Sequence, residues 1–236
     1  GVFHQAAIAS VPRSVDDPLA THTTNETGTL NVLLAARDAG VKKVVFASSS
    51  AVYGEEPTLP KHEEMIPAPV SPYAVSKLTG EYYAAVFSRL FGLKTVALRY
   101  FNVFGPRQDP SSQYSGVISI FTDRVKSGEA VTIHGDGGQT RDFVYVADVV
   151  QANLLAMEQD VTGVFNIACG RQTDLNTLAR SVMEAAGRTV PVEYGPVRQG
   201  DVRHSLADIS RAHETLGWTP EWTLVKGLGE MLSQES

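Results

Sequence analysis

The sequence has few residues that could form covalent or metal crosslinks. Among 236 residues Cys169 is the single cysteine, so an internal disulfide is excluded, and no group of cysteines and histidines has the spacing of a zinc site. No apolar run approaches the roughly 20 residues of a membrane-spanning helix, and no segment has the charged start and apolar middle of a signal peptide. We therefore expect a cytoplasmic protein with no metal and no membrane partner.

An excess of basic charge is also missing. The chain has 20 Lys and Arg against 26 Asp and Glu, which gives a formal net charge of −6. Because proteins bind the phosphate backbone mostly through clustered Lys and Arg, nucleic acid is not an expected partner. The 43% hydrophobic and 19% charged fractions are ordinary for globular domains. The length allows one large domain or two small ones.

Short β-branched segments alternate with longer segments of helical periodicity. The strands are predicted at 2–7, 42–50, 94–101 and 164–168, and the helices at 23–40, 71–92, 116–128 and 175–187. This alternation is typical of an α/β fold with a parallel sheet covered by helices. Residues 130–146 are predicted as two extended segments joined by a hairpin turn at GDGGQ (135–139).

The stretch SPYAVSK (71–77) carries a possible acid and base pair. Tyr73 and Lys77 are four residues apart, which puts them on one face of the predicted helix. A nearby cation favours the phenolate form of a tyrosine, whose pKa is otherwise near 10. The pair therefore predicts a tyrosine that exchanges protons with a substrate hydroxyl, although the same spacing also arises by chance.

The stretch VVFASSSAVYG (44–54) is a strand that ends in three serines. Ligands of parallel sheets bind at the carboxyl ends of the strands, so these serines are candidates for the same site as Tyr73. Serines after a strand are also common turn formers. The order of the two motifs along the chain is what makes the functional interpretation specific.

Together with RYFNVFGPR (99–107), RDFVYVADVV (141–150) and GDVRHSLADISRA (200–212), this order resembles the extended short-chain dehydrogenase/reductase superfamily. Within it, the chain is most similar to the NAD-dependent epimerase/dehydratase family and its nucleotide-sugar 4-epimerases. The resemblance covers nearly the whole chain. It implies a Rossmann-like doubly wound parallel sheet, a smaller α/β substrate-binding domain, NAD as cofactor and a homodimer. Members usually carry a GxxGxxG turn in leading βα units, which this sequence lacks, so the resemblance implies a sheet truncated by about 60 to 75 residues.

The resemblance also divides the chain. Residues 1–103 and 141–168 match the dinucleotide-binding domain, and residues 104–140 and 169–236 match the nucleotide-sugar domain. Family members usually dimerise through a four-helix bundle, which implies an interface near 21–38 and 72–90. The candidate apolar stripe consists of Ala84, Ala85, Phe87 and Leu90, although a stripe that faces the core has the same pattern.

Catalytic roles follow residue by residue from the resemblance. Tyr73 matches the base that takes and returns the proton of the sugar hydroxyl, Lys77 matches the lysine that holds the nicotinamide ribose, and Ser49 matches the residue that hydrogen-bonds the reacting oxygen. Besides Tyr73 and Lys77, cofactor contacts are implied at Ala6, Ala7, Asn25, Ser48, Tyr100 and Phe101. Substrate contacts are implied at Ser50, Asn102, Val117, Arg141, Arg198, Asp201 and Ser205.

Several of these positions have a simpler interpretation. Strand-end packing explains the two alanines equally well, and an ion pair with Asp142 would explain Arg141. Three histidines are expected to pack in the interior or lie at the surface, namely His4, His134 and His204.

The expected reaction is epimerisation at C4. Dehydratases of this superfamily carry Asp-Glu after the hydroxyl residue, whereas Ser50 and Ala51 follow Ser49 here, so elimination lacks its acid. The resemblance implies UDP-glucose and UDP-galactose as substrates, and the small Ser205 implies that their N-acetylated counterparts also fit. Two alternatives stay open: another NAD-dependent nucleotide-sugar epimerase or reductase, and a non-catalytic binding protein that kept the fold.

Overall fold

A computed structural model gives the fold and describes residues 1–108, 116–197 and 202–234. The strands are β1 (Val2–His4), β2 (Lys43–Ser49), β3 (Lys94–Tyr100), β4 (Asn102–Phe104), β5 (Val131–His134), β6 (Thr140–Arg141), β7 (Phe143–Tyr145), β8 (Gly163–Ile167), β9 (Thr173–Asp174) and β10 (Val192–Gly195). The α-helices are α1 (Val11–Asp16), α2 (Pro18–Thr21), α3 (Gly28–Asp38), α4 (Pro72–Phe91), α5 (Val117–Ser127), α6 (Val146–Glu158), α7 (Leu175–Ala186), α8 (Ser210–Leu216) and α9 (Leu224–Gln234). A π-helical stretch (His22–Thr27) joins α2 to α3, and a 3₁₀ turn (Ser50–Tyr53) follows β2.

The chain divides into two compact units. Unit 1 comprises Gly1–Phe101, Val150–Ile167 and Asp208–Thr219, and unit 2 comprises Asn102–Val149, Ala168–Ala207 and Pro220–Ser236. The sequence-based division instead placed 141–149 with the first unit and 208–219 with the second. Residues 208–219 join unit 1 because α8 packs on β8, where the Arg211 guanidinium lies 5.4 Å from the centre of the Phe165 ring. The assignment of cofactor and substrate to the two units stays a prediction.

Unit 1 is built on a parallel sheet. Its strand order is β1-β2-β3-β8, with every neighbouring pair parallel, which confirms the α/β prediction. Most residues of β2 and β3 are buried, as expected of strands with helices on both faces. The carboxyl ends of β1, β2 and β3 consequently lie at one edge of the sheet.

Helix α4 confirms its predicted bounds. The Ser71 side chain accepts a hydrogen bond from the backbone N–H of Ala74 at 3.2 Å, Pro72 occupies the first helical position, and Gly92 ends the helix in the left-handed conformation. The helix approaches the sheet closely at Gly80, where a Cβ atom would lie 2.4 Å from the Phe46 ring. This contact fixes the height of α4 over β2.

Only part of the predicted dimer stripe lies on the surface of unit 1. Ala84 and Phe87 are 3% and 4% exposed and pack into the core, whereas Ala85 and Leu90 are exposed. The stripe was therefore wrong in those two members. The sequence pattern could not separate them, since α4 is apolar on its core face and on part of its outer face.

In the described residues of unit 2, three small sheets surround an apolar core. The pairs are β4 with β7 and β5 with β10, both parallel, and β6 with β9, antiparallel. Helices α5, α7 and α9 cover the core, which includes Phe104, Ile118, Phe121, Leu178, Val182 and Leu228. The predicted hairpin at 135–139 was wrong: Gly135 and Gly137 do form a turn with positive φ, but β5 takes its partner from residues 192–195 and β6 from residues 173–174.

No helix in the described ranges combines the length and apolar character needed to cross a bilayer.

Candidate functional site

Unit 1 brings the three predicted catalytic residues together. Ser49 ends β2, and its side chain lies close enough to the Tyr73 phenol on α4 to lower the pKa of that phenol. The Lys77 ammonium lies 5.8 Å from the centre of the Tyr73 ring and donates a 2.7 Å hydrogen bond to the carbonyl of Ala47. The Ser49 side chain also accepts from the N–H of Ala51 at 3.2 Å, which fixes its orientation at the start of the 3₁₀ turn. A hydroxyl, a phenol and an ammonium thus share one end of the sheet.

Burial controls the electrostatics of this group. It lowers the pKa of Lys77 to about 8, because an ammonium loses hydration away from water. It also raises the pKa of the Tyr73 phenol, an effect that the neighbouring Ser49 side chain only partly offsets. In the protein alone, therefore, burial shifts the pKa of Tyr73 in the direction opposite to the acidification that the sequence suggested. Acidification by Lys77 in the presence of ligands stays a prediction.

The Asn25 side chain connects two segments of unit 1. It accepts from the N–H of Ile8 at 2.8 Å and donates to the carbonyl of Ile8 at 3.1 Å and to the Ser76 hydroxyl at 3.0 Å. Both amide hydrogens are therefore used within the protein. Asn25 lies in the π-helical stretch, a feature often found at functional sites, and it ties the loop after β1 to α4 beside Lys77. This arrangement suits a positioning role, and a cofactor contact by Asn25 stays a prediction.

Ser48 is also directed into the protein interior. Its hydroxyl donates to the Glu81 carboxylate, which receives two further hydrogen bonds from Arg99 at 2.9 and 2.7 Å. All three side chains are buried, and a buried charge needs such partners. Glu81 therefore holds the Ser48 side chain below the site, and a cofactor contact by this residue stays a prediction.

The other cofactor positions lie near the same edge of the sheet. Ala6 is exposed and Ala7 is half-buried directly after β1, and Phe101 is buried after β3. The Tyr100 hydroxyl contacts the side chain of Asn153 at 3.0 Å. Their contact with a cofactor stays a prediction.

The residues present suit the nicotinamide half of NAD. An ammonium has three donors, and the hydrogen bond to Ala47 uses one, which leaves Lys77 able to bind ribose hydroxyls. Ala6 and Ala7 have small side chains that permit a flat ring to approach the backbone after β1. Neutral Ser49 and Tyr73 provide hydroxyls on the same end of the sheet.

Unit 2 contains a cavity of about 420 Å³. Its lining comprises Asn102, Val117, Ile120, Phe121, Arg124, Thr132, His134, Gln139, Arg141 and Leu175. Three predicted substrate residues, Asn102, Val117 and Arg141, are thus brought together, although they are distant in sequence. The cavity combines two arginines with apolar walls, which suits an anion attached to a flat ring.

Sequence reasoning missed several lining residues. His134 was expected to pack or lie at the surface, but it lines the cavity, and its Nδ1 lies 3.2 Å from the carbonyl of Pro196. Thr132 and His134 alternate along β5 with buried Val131 and Ile133. Side chains two apart on a strand share a face, so the strand period could have placed Thr132 and His134 together. Arg124 follows Val117 by two helical turns, so the helical period could have placed it beside Val117.

The remaining predicted positions divide as follows. Ser50 is half-buried in the 3₁₀ turn of unit 1, and Ser205 is half-buried in unit 2, where its N–H donates to the carbonyl of Thr140 at 3.1 Å. Arg198 and Asp201 lie outside the described residues. The packing role of His4 is confirmed, since its buried ring contacts the Thr29 hydroxyl at 2.9 Å.

The alternative explanation of Arg141 was an ion pair with Asp142. The two side chains instead have different hydrogen-bond partners. The Arg141 guanidinium donates to the carbonyl of Thr140 at 2.9 Å and that of Arg203 at 3.4 Å, while the carboxylate of Asp142 receives backbone N–H groups. Neighbours in a strand point to opposite faces, which separates the two side chains.

The sequence is similar to one protein family and to named members of it. The sequence profile of the NAD dependent epimerase/dehydratase family matches residues 1–168. A UDP-glucose 4-epimerase of Mycolicibacterium smegmatis is 42% identical over 231 residues, which cover 97% of this chain and 74% of the relative.

Two solved structures have nearly the same fold. The UDP-glucose 4-epimerase of Thermotoga maritima, determined with UDP-glucose, has a TM-score of 0.95 and 46% identity, covering 98% of this chain and 75% of that one. The UDP-N-acetylglucosamine 4-epimerase of Methanobrevibacter ruminantium, determined with UDP-N-acetylmuramic acid, has a TM-score of 0.94 and 42% identity, covering 98% and 76%. The family profile matches most of the chain, and a relative with the same reaction in its name is 42% identical over nearly the whole chain. The chain therefore belongs to the NAD dependent epimerase/dehydratase family.

Proposed function

We propose that this protein is an NAD-dependent nucleotide-sugar 4-epimerase that interconverts UDP-glucose and UDP-galactose. The observation that carries the proposal is the grouping of Ser49, Tyr73 and Lys77 at one end of the parallel sheet. The names of the relatives from Mycolicibacterium smegmatis and Thermotoga maritima support the same reaction and the same nucleotide.

The protein's own residues handle the proton of the reaction. Tyr73 takes the proton of the sugar 4-hydroxyl and later returns it. Ser49 lies beside Tyr73, and its hydroxyl both donates and accepts, so it can follow the proton in either direction. Lys77, fixed by the carbonyl of Ala47, would hold the nicotinamide ribose. When bound, NAD supplies the acceptor and donor for the hydride at C4.

The neighbouring residues favour epimerisation over elimination. The positions after Ser49 are Ser50 and Ala51, and neither side chain can act as an acid at neutral pH. A hydroxyl next to the oxidised carbon therefore has no general acid in these positions to protonate it as it leaves. The sugar keeps all its oxygens and changes only the configuration at C4.

Turnover of the nucleotide sugar tests the proposal. We expect the purified protein, supplied with NAD, to convert UDP-glucose to UDP-galactose, which chromatography of the two sugars detects. A parallel panel with GDP- and dTDP-sugars would separate the proposed substrate from those of other epimerases and reductases. Bound NAD and bound UDP-glucose with no conversion of any sugar would instead indicate a binding protein.

We further propose that N-acetylated sugars are substrates, because Ser205 is small. The name of the relative from Methanobrevibacter ruminantium supports this extension. Ser205→Tyr is expected to lower kcat/KM for UDP-N-acetylglucosamine by about 10-fold or more, since a bulky side chain removes room for the acetyl group. Turnover of UDP-glucose, measured alongside, should change by less than about 3-fold. An unchanged ratio of the two specificity constants would contradict the role of Ser205.

The proposed assembly is a homodimer formed through α4. Val75, Tyr82, Val86 and Leu90 are all exposed and recur at helical spacing, which forms an apolar stripe on the outer face. Val86→Glu is expected to convert the dimer to a monomer, as measured by light scattering after gel filtration. Val225→Glu, at an exposed valine of α9, serves as the matched control. A monomeric wild-type protein would contradict the proposal.

The proposed compartment is the cytoplasm. The support for this proposal is that the sequence has one cysteine, Cys169, and so no internal disulfide. Proteins of reducing compartments rarely contain disulfides.

A further inference from the structure

The Asp142 carboxylate is a buried junction in unit 2. It is fully buried, and it accepts hydrogen bonds from the N–H of Cys169 at 2.8 Å and of Ala207 at 3.1 Å. The N–H groups of Gly170 and Arg171 also lie close enough to lower its pKa. One side chain therefore holds two backbone segments that are separated by more than thirty residues in sequence.

The backbone around Asp142 also contacts the predicted substrate residues of unit 2. The backbone carbonyl of Asp142 accepts from the N–H of Asn102 at 3.1 Å, and Arg141 precedes it in sequence. Ala207 follows Ser205 by two residues, and the N–H of Ser205 donates to the carbonyl of Thr140 at 3.1 Å. Asp142 thus connects the strands and loops from which Asn102, Arg141 and Ser205 project.

The charge of this carboxylate is costly. Burial raises the pKa of Asp142 to about 6, and the neighbouring backbone N–H groups offset only part of that effect. The Cys169 thiol is one neighbour; burial raises its pKa to about 12, and Asp142, Asp148 and Arg171 also act on it. A carboxylate that accepts from the N–H groups of Cys169 and Ala207 fixes their geometry, whereas an amide or a protonated acid presents a hydrogen to one of them.

We propose that Asp142 is a positioning residue for the nucleotide-sugar pocket: its ionised carboxylate holds the segments of Cys169 and Ala207 against the strand that carries Arg141, and so keeps Asn102, Arg141 and Ser205 in the arrangement that binds the UDP-sugar. This inference rests on the proposed function, since the ligand is the proposed substrate. Asp142 itself does not line the cavity, so it acts through its neighbours.

Calorimetric binding of UDP-glucose tests the inference. UDP-glucose is the preferred probe because its diphosphate is esterified at both ends and keeps its charge between about pH 5 and pH 8, unlike that of UDP.

We expect Asp142→Asn to weaken binding by about 10-fold or more at neutral pH. Asp148→Asn is the matched control: Asp148 is also buried, but it accepts from the N–H groups of Glu221 and Trp222, outside the pocket. Its variant should bind within about 2-fold of the wild type.

The pH profile of the wild type is an independent readout that a purely structural role would not affect. The carboxylate is ionised above about pH 6 and protonated below it, so the affinity for UDP-glucose should fall by several-fold from about pH 7.5 to about pH 5. The Asp142→Asn variant should lack the fall.

The outcomes are distinguishable. If the wild type does not bind UDP-glucose at all, the proposed function fails. If the wild type binds and Asp142→Asn binds equally well, only the positioning role is overturned. Should Asp142→Asn fail to fold, the wild-type profile decides: an affinity that stays constant or rises on acidification overturns the inference, and the expected fall supports it.

Discussion

Tyr73→Phe is expected to lower the turnover of UDP-glucose by about 100-fold to 10,000-fold, the range that one general acid and base supplies. Phenylalanine keeps the ring and its packing but removes the hydroxyl that contacts Ser49. The reaction then lacks the group that takes the proton of the sugar hydroxyl and returns it. Because the lost interaction involves the reacting atoms, kcat should fall with little change in the dissociation constant of UDP-glucose.

Steady-state kinetics and calorimetry on the same preparations would measure this split. Tyr83→Phe is the matched control, since Tyr83 lies on the same helix but is exposed, and its variant should retain wild-type turnover. A Tyr73→Phe protein that turns over within about 3-fold of the wild type would remove Tyr73 from the mechanism.

Lys77→Met is expected to abolish epimerisation and to stabilise the fold. Lys77 is 4% exposed, and burial lowers its pKa from 10.5 to about 8. Each pKa unit corresponds to about 1.4 kcal/mol, so keeping the ammonium charged in the folded state costs roughly 3 kcal/mol at neutral pH. Methionine preserves most of the stem that packs beside Phe46 and Tyr73 and carries no charge. We expect a gain of about 1 to 3 kcal/mol in the free energy of unfolding.

The pH dependence of that gain provides a second check. In the wild type the folded state loses its Lys77 proton near pH 8, whereas the unfolded state keeps it up to about pH 10.5. Between these values the unfolded state binds more protons, so wild-type stability rises with pH. The advantage of Lys77→Met over the wild type should therefore shrink from about pH 8 to pH 10.5.

Denaturant unfolding at several pH values would measure this difference, with Lys42→Met, at an exposed lysine, as the control. Surface substitutions usually change stability by less than about 0.5 kcal/mol. If Lys77→Met proves less stable than the wild type at neutral pH, the ammonium contributes net stability and the explanation by desolvation is wrong. The expected result is that Lys77 lowers the stability of the fold but is required for epimerisation.

The buried pair of Glu81 and Arg99 shows one limit of sequence reasoning. These residues are eighteen apart and lie on different elements, yet their bidentate contact determines where Ser48 points. By local pattern alone, Ser48, Ser49 and Ser50 are equal candidates after one strand, and the family resemblance was needed to single out Ser49. The physical reason that Ser49 lies beside Tyr73 is the packing between α4 and the sheet, which no local pattern records.

The turn at GDGGQ shows a second limit. Its glycines predicted a tight turn, and Gly135 and Gly137 do adopt positive φ. The pairing partners of the flanking strands come instead from residues 173–174 and 192–195. Hydrogen-bonding groups of a strand are satisfied equally well by local and distant partners, so the turn chemistry did not determine the pairing.

The sequence by itself determined the parallel sheet, the limits of α4 and the common face of Tyr73 and Lys77, because alternation, capping and helical spacing act over a few residues. The tertiary structure alone decided that Asn25 and Ser48 face inward, that Thr132 and His134 line a cavity, and that burial raises the pKa of Tyr73. Those properties depend on how much water and which distant partners surround each group, and that environment exists only once remote segments pack together.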